Sequence, residues 1–100
     1  PEYLALNPRG QVPVLVDGSD VVTQIPAIAL HIDSLFPSAG LLPAGGMART
    51  RALQTLMWMN NTAHPTFTHV FMPQKFTADE AAQKAVREHA AVAYQGLLQE

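Results

Sequence analysis

Two β-branched runs on either side of a turn motif set the frame for this chain. Val12 to Val16 is followed by Asp17-Gly18-Ser19-Asp20 and then by Val21-Val22-Thr23. Asp and Gly tolerate the backbone angles of a tight loop, so the stretch predicts a β-hairpin. Pro13 has no N–H to offer a ladder and belongs at the start or edge of its strand. A hairpin with one helix is not independently stable, because both sheet edges stay unpaired. No later segment carries a strand pattern, so further strands are expected upstream of Pro1 or from another chain.

From Ile25 the apolar period changes. Ile25, Ile28, Ala29, Ile32 and Leu35 recur at helical spacing, with Asp33 and Ser34 off the stripe. Pro26 suits the first turn of that helix, and Phe36-Pro37 ends it. The Gly/Pro-rich stretch that follows reads as a linker over 39–46. It divides the chain into a first domain, 1–38, and a helical second domain, 47–100. Met47 to Thr62 predicts a helix that Pro65 kinks or breaks. Thr66 to Phe76 allows another turn or two before Pro73. Thr77 and Glu80 form a capping box that opens a helix running to the end, with Ala81, Ala85, Val92 and Leu97 among its packing positions.

Composition narrows the function classes. The 100 residues are 48% hydrophobic and 14% charged, a globular profile. A net charge of −2 without a basic run leaves no footprint for nucleic acid. No apolar stretch approaches a membrane span, and the N-terminus does not read as a signal peptide. Cysteine is absent, which removes disulfides, thiolate metal sites and a cysteine nucleophile from these residues and suits a cytoplasmic protein. His31, His69 and His89 lack partners at metal-ligand spacing, so no metal is expected. The opening Pro1-Glu2-Tyr3 and the closing Gln99-Glu100, inside a helical pattern, read as the bounds of a segment from a longer protein.

Asn7-Pro8-Arg9-Gly10-Gln11-Val12-Pro13-Val14-Leu15 resembles the NPxGxVPxL signature of the glutathione S-transferase superfamily. Thr23-Gln24, Ala27-Ile28 and His31-Ile32-Asp33 resemble its second signature, in which an acidic or amide residue is followed by Ser and then AIxxYL. Leu41-Leu42-Pro43 is similar to the family's linker. Asn60 and His64-Pro65-Thr66-Phe67 are similar to the first long helix of the second domain in bacterial, beta-like members. The resemblance implies a thioredoxin-like α/β domain, here its last hairpin and helix, followed by the start of an all-α domain. It implies glutathione as co-substrate, a hydrophobic electrophile as second substrate, a detoxifying conjugation reaction and a homodimer. The strand–helix–strand that carries the family's catalytic Tyr, Ser or Cys would precede Pro1.

The resemblance also distributes roles. Val12-Pro13 would hold a cis bond that turns backbone groups outward to pair with the cysteinyl unit of glutathione, as an added strand would. The alternative is a trans Pro that merely starts a strand. Gln24 and Ile25 would sit at a helix N-terminus that holds the γ-glutamyl group. Ile25 stands where the family has Ser and offers only its backbone N–H. Losing one hydrogen bond to a charged group costs roughly 1.5–3 kcal/mol, about one to two orders of magnitude in affinity. Ile25 can equally be a core residue of the helix stripe. His64 matches a histidine on the substrate side, where an imidazole can exchange a proton or bond a thiolate; otherwise it is a helix-terminal residue before a kink. Asn60 is a weaker residue of the same kind. Met57, Trp58 and Met59 line either a co-substrate pocket or a core. Arg49 and Arg51 sit at a dimer seam or on a solvated face. With Ile25 in the serine position, the rival to an enzyme is a non-catalytic binding or dimerisation module of the same fold.

Overall fold

The computed structural model describes residues 2–100. The chain divides into two compact units, Pro1–Leu56 and Met57–Glu100.

The first unit opens with a short helix, α1 (Glu2–Leu6), which the sequence pattern does not announce. The hairpin follows as β1 (Val14–Asp17) and β2 (Asp20–Thr23), antiparallel in the register Val14↔Thr23, Leu15↔Val22, Val16↔Val21 and Asp17↔Asp20. Gly18 supplies the positive φ of +60° that closes the turn. Among the described residues the sheet has two strands. Pro13 lies just ahead of β1, where its missing N–H breaks no ladder bond.

Helix α2 (Ile25–Leu35) packs on β2 and stops at Phe36, as Pro37 requires. One face departs from the expected stripe. Asp33 is buried, whereas Ile25 and Leu35 are half exposed. The reason lies in the supposed linker. Asp33 accepts the Leu42 N–H (3.2 Å) and the Arg49 Nη1 (2.8 Å), while Arg49 also donates to the Pro43 carbonyl (2.9 Å). Leu42 is itself buried. One carboxylate therefore ties the end of α2 to the following loop and to the first turn of α3 (Gly46–Trp58). Arg49 serves this internal ion pair, a role not foreseen from its place on a helix face. At the other end of the hairpin, His31 Nε2 meets Asp17 Oδ2 at 2.8 Å and joins α2 to the turn.

In the second unit the chain stays helical through Pro65. A π-helical turn, Met59–Ala63, precedes α4 (His64–Phe71), and the His64 N–H reaches the Met59 carbonyl five residues back. Pro65 explains it: a proline ring clashes with the carbonyl four residues earlier, here Asn61, and a widened turn relieves the clash. Pro73, fully buried, opens a 3-10 turn, Pro73–Lys75. His69 bonds the Pro65 carbonyl through Nδ1 (2.7 Å) and stacks on Phe76 at 4.0 Å, which pins the segment leading to α5 (Glu80–Leu97).

Asp79, not Thr77, caps α5. Its carboxylate accepts the Ala82 N–H (2.7 Å), and Thr77 Oγ1 accepts the Asp79 N–H instead (3.2 Å). An Asp cap is as good as a Thr cap and puts Glu80 at the first helical position, where the dipole favours it. The packing face also differs from the expected one. Ala90 is buried and Val86, Tyr94 and Leu97 are half-buried, while Ala81, Ala85 and Val92 stand exposed.

The Asp33 cluster gives a pH prediction. The Arg49 hydrogen bond lowers the Asp33 carboxyl below its ordinary value; desolvation opposes this, and the Leu42 N–H and the Arg49 charge reinforce it. A depressed folded-state value contributes stability above the unfolded carboxylate pKa of about 3.9, and that contribution is lost as pH falls through the lower folded value. Thermal melts of the native protein and Asp33→Asn should therefore differ most near neutral pH and converge below about pH 3.9. A gap that stays constant with pH would contradict the assignment.

Candidate glutathione site

Four of the residues singled out by sequence meet at the open end of the hairpin. Because Val14 pairs with Thr23, Val12-Pro13 and Gln24-Ile25 are the flanking dipeptides beyond the last rung. The Val12–Pro13 bond is cis, as the resemblance implies. Val12 is 80% exposed. Among the described residues neither its N–H nor its C=O has a hydrogen-bond partner. A free donor and acceptor on exposed backbone next to a strand end form a template that another strand-like backbone can join.

The loop ahead of it explains the signature residues. Asn7 is buried. Its Oδ1 accepts the Arg9 N–H (3.1 Å), and its Nδ2 donates to the Gln11 carbonyl (2.8 Å). Tyr3 Oη donates to the same carbonyl. Gly10 takes φ +65°, and a Cβ there would stand 3.4 Å from Leu4 Cδ2. Asn7 and Gly10 thus act on the backbone: they fix the path that delivers Val12-Pro13.

Across the hairpin end, Gln24 precedes α2 with φ +74° and ψ 121°, the sole non-glycine with positive φ among the described residues. Such backbone costs of order 1–3 kcal/mol and concentrates at ligand-binding positions. Gln24 is exposed. It offers no side-chain cap to the helix. The Ile28 N–H bonds the Gln24 carbonyl (3.0 Å), so the Ile25 and Ala27 N–H groups have no partner four residues back and Pro26 has none to offer. Free N–H groups at a helix N-terminus are, in general, favourable to a negative group. Ile25 is half exposed and is not a core residue.

The second unit carries the other two. His64 lines an open cavity of about 250 Å³ with Met59, Ala63, Phe67 and Tyr94. Asn60 does not line it; its amide donates to Asn61 Oδ1 (3.0 Å). Sequence reading missed Ala63, Phe67 and Tyr94 as lining residues, since the π turn shifts the phase of the helix and Tyr94 comes from α5, far along the chain. Pro65 is the signal that points to it. Trp58 Nε1 is buried without a partner among the described residues. Among the described residues no group of three His, Cys, Asp or Glu side chains is placed to hold a metal ion, and no helix is long and apolar enough to cross a membrane.

The loop bonds set the cost of Asn7→Ala. Leaving the Arg9 N–H and the Gln11 carbonyl without this partner should lower stability in urea by about 1–3 kcal/mol. An unchanged midpoint and slope would remove Asn7 from this role.

Comparison with known proteins agrees with this geometry. The family model for the glutathione S-transferase N-terminal domain matches residues 1–35. Glutathione S-transferase GST-4.5 of Xanthomonas campestris pv. campestris is 36% identical over 92 residues, covering 90% of this chain and 45% of that protein. The bacterial beta class glutathione S-transferase of Sphingomonas chungbukensis superposes with a TM-score of 0.73 at 31% identity, covering 98% of this chain and 48% of that one. A glutathione transferase homolog from Sulfitobacter, solved with bound glutathione, reaches a TM-score of 0.87 over 99% of this chain and 48% of that one; at 21% identity it speaks for the fold. The chain spans about half the length of these relatives. Its hairpin and α2 correspond to the end of a thioredoxin-like α/β domain and its later helices to the start of a helical domain. With the signature residues, the family model and these relatives in agreement, the chain belongs to the glutathione S-transferase family.

Proposed function

We propose that this chain supplies the glutathione-binding end of an enzyme that conjugates glutathione to electrophilic small molecules. The observation that carries the reading is the unpaired Val12 backbone at a cis peptide beside the free N–H groups of α2. In this reading Val12 pairs with the cysteinyl unit, Pro13 aims that backbone, and Gln24 with the Ile25 N–H holds the γ-glutamyl end. The thiolate of glutathione attacks an electrophilic carbon, and stabilisation of that thiolate is the main catalytic demand. No residue of this chain is assigned to that task; it falls to a Tyr, Ser or Cys ahead of Pro1. His64 faces the hydrophobic electrophile, and Asn60 is a secondary residue on that side. The reading divides the chain at the linker, into 1–38 and 47–100, and places the protein in the cytoplasm as a homodimer that uses glutathione and no metal.

Ile25 favours a second reading. Its side chain is exposed and cannot donate a hydrogen bond, so a fold kept for binding or dimerisation alone also fits.

Titration calorimetry on the full-length protein separates the two. The enzyme reading expects glutathione to bind weakly and Ile25→Ser to tighten it by about one to two orders of magnitude. No heat from either protein would leave the binding module. The 100-residue chain alone should show no turnover of 1-chloro-2,4-dinitrobenzene with glutathione. Measurable turnover by the purified chain would place the activating residue inside it.

A further inference from the structure

One peptide unit beside the hairpin end is held from behind. Tyr3 and Asn7 stand four residues apart at the end of α1, and the Asn7 N–H bonds the Tyr3 carbonyl (2.9 Å), so the two side chains share one face. The Gly10 N–H bonds the Asn7 carbonyl (2.9 Å) and turns the chain back over that face. The carbonyl that arrives there is that of Gln11. It accepts two hydrogen bonds, one from Asn7 Nδ2 (2.8 Å) and one from Tyr3 Oη. Asn7 is also engaged in the turn, where its Oδ1 takes the Arg9 N–H. The Tyr3 hydroxyl has no other partner among the described residues.

The far end of the same peptide unit is the Val12 N–H. The Gln11–Val12 bond is trans, and in a planar trans peptide the C=O and N–H point in opposite directions. Two donors that draw the Gln11 oxygen toward α1 therefore turn the Val12 hydrogen away from it, into the open. Donation to a carbonyl also polarises its amide, which makes the N–H a stronger donor. A ligand that had to fix a freely turning peptide would lose conformational entropy on binding; this one is fixed beforehand.

We propose that Tyr3 is a positioning residue for glutathione: its hydroxyl, with the Asn7 amide, holds the Gln11–Val12 peptide so that the Val12 N–H donates to a carbonyl of the tripeptide. The inference rests on the reading of Val12 as the partner of the cysteinyl unit. Tyr3 acts on the ligand through one peptide plane and not by contact.

The test is a glutathione titration of the ¹⁵N,¹³C-labelled full-length protein, native against Tyr3→Phe, which removes one oxygen and keeps the ring. The dissociation constant should rise about two- to tenfold, the effect of one hydrogen bond. At saturation the ligand-induced shift of the Val12 amide proton should be smaller in Tyr3→Phe, while those of Gln24, Ile25 and Ala27 keep their native size. In the free protein the Gln11 carbonyl carbon should move upfield, as a carbonyl that loses a donor does. Equal constants would overturn the proposal, and so would an unmoved Gln11 carbon. A higher constant with the Val12 shift unchanged would overturn it too, because Tyr3 would then act only on stability. A native protein whose amides do not respond to glutathione contradicts the glutathione reading itself, and the inference falls with it.

Discussion

The pairing of Val14 with Thr23 is the constraint on which the first unit depends. It makes Pro13 and Gln24 the first residues past the last rung, so the cis peptide and the start of α2 are delivered to one end of the hairpin. Side chains alternate along a strand, and a slip of one residue would reverse every facing on β1 and misalign the two dipeptides. The turn at Gly18 and the Asp17–His31 contact hold that register from the far end.

The Asp33 cluster does comparable work at the other end of α2. A buried carboxylate needs full compensation, and here a guanidinium and a backbone N–H provide it. The loop after α2 is thereby anchored through Leu42 and Pro43. This is why the boundary between compact units falls after Leu56, inside α3, and not at the Gly/Pro-rich stretch where composition changes. Composition marks where the chain can bend, whereas compactness records which side chains hold it.

The hairpin, α2 and the site signature were legible because each rests on local rules: β-branched runs, turn residues, and a proline with nowhere to sit but a strand start. Asn7 and Gly10 were visible as a motif, and the structure supplies their physical reason in the loop bonds to Arg9 and Gln11. Asp33 was not legible, because a charged residue on a helix reads as solvent-facing until its partner sixteen residues away is known. The start and packing face of α5 were missed for separate reasons. Thr77 and Asp79 are both competent caps two residues apart, and the small alanines of α5 give no strong apolar stripe to say which face packs. The cavity of the second unit was hidden because a π turn breaks the periodicity on which sequence reading relies.

In the proposed reading, the site keeps the backbone pairing surface of the family signature and lacks a side-chain donor at Ile25. A backbone surface has little to do with side-chain identity, so the fold can retain affinity for a peptide-like ligand after that loss. The most direct test is residue-resolved: amide chemical shifts of the ¹⁵N-labelled full-length protein during titration with glutathione. The account predicts saturable shifts at the Val12, Gln24, Ile25 and Ala27 amides. Binding that moves other amides and leaves these four unshifted would contradict it.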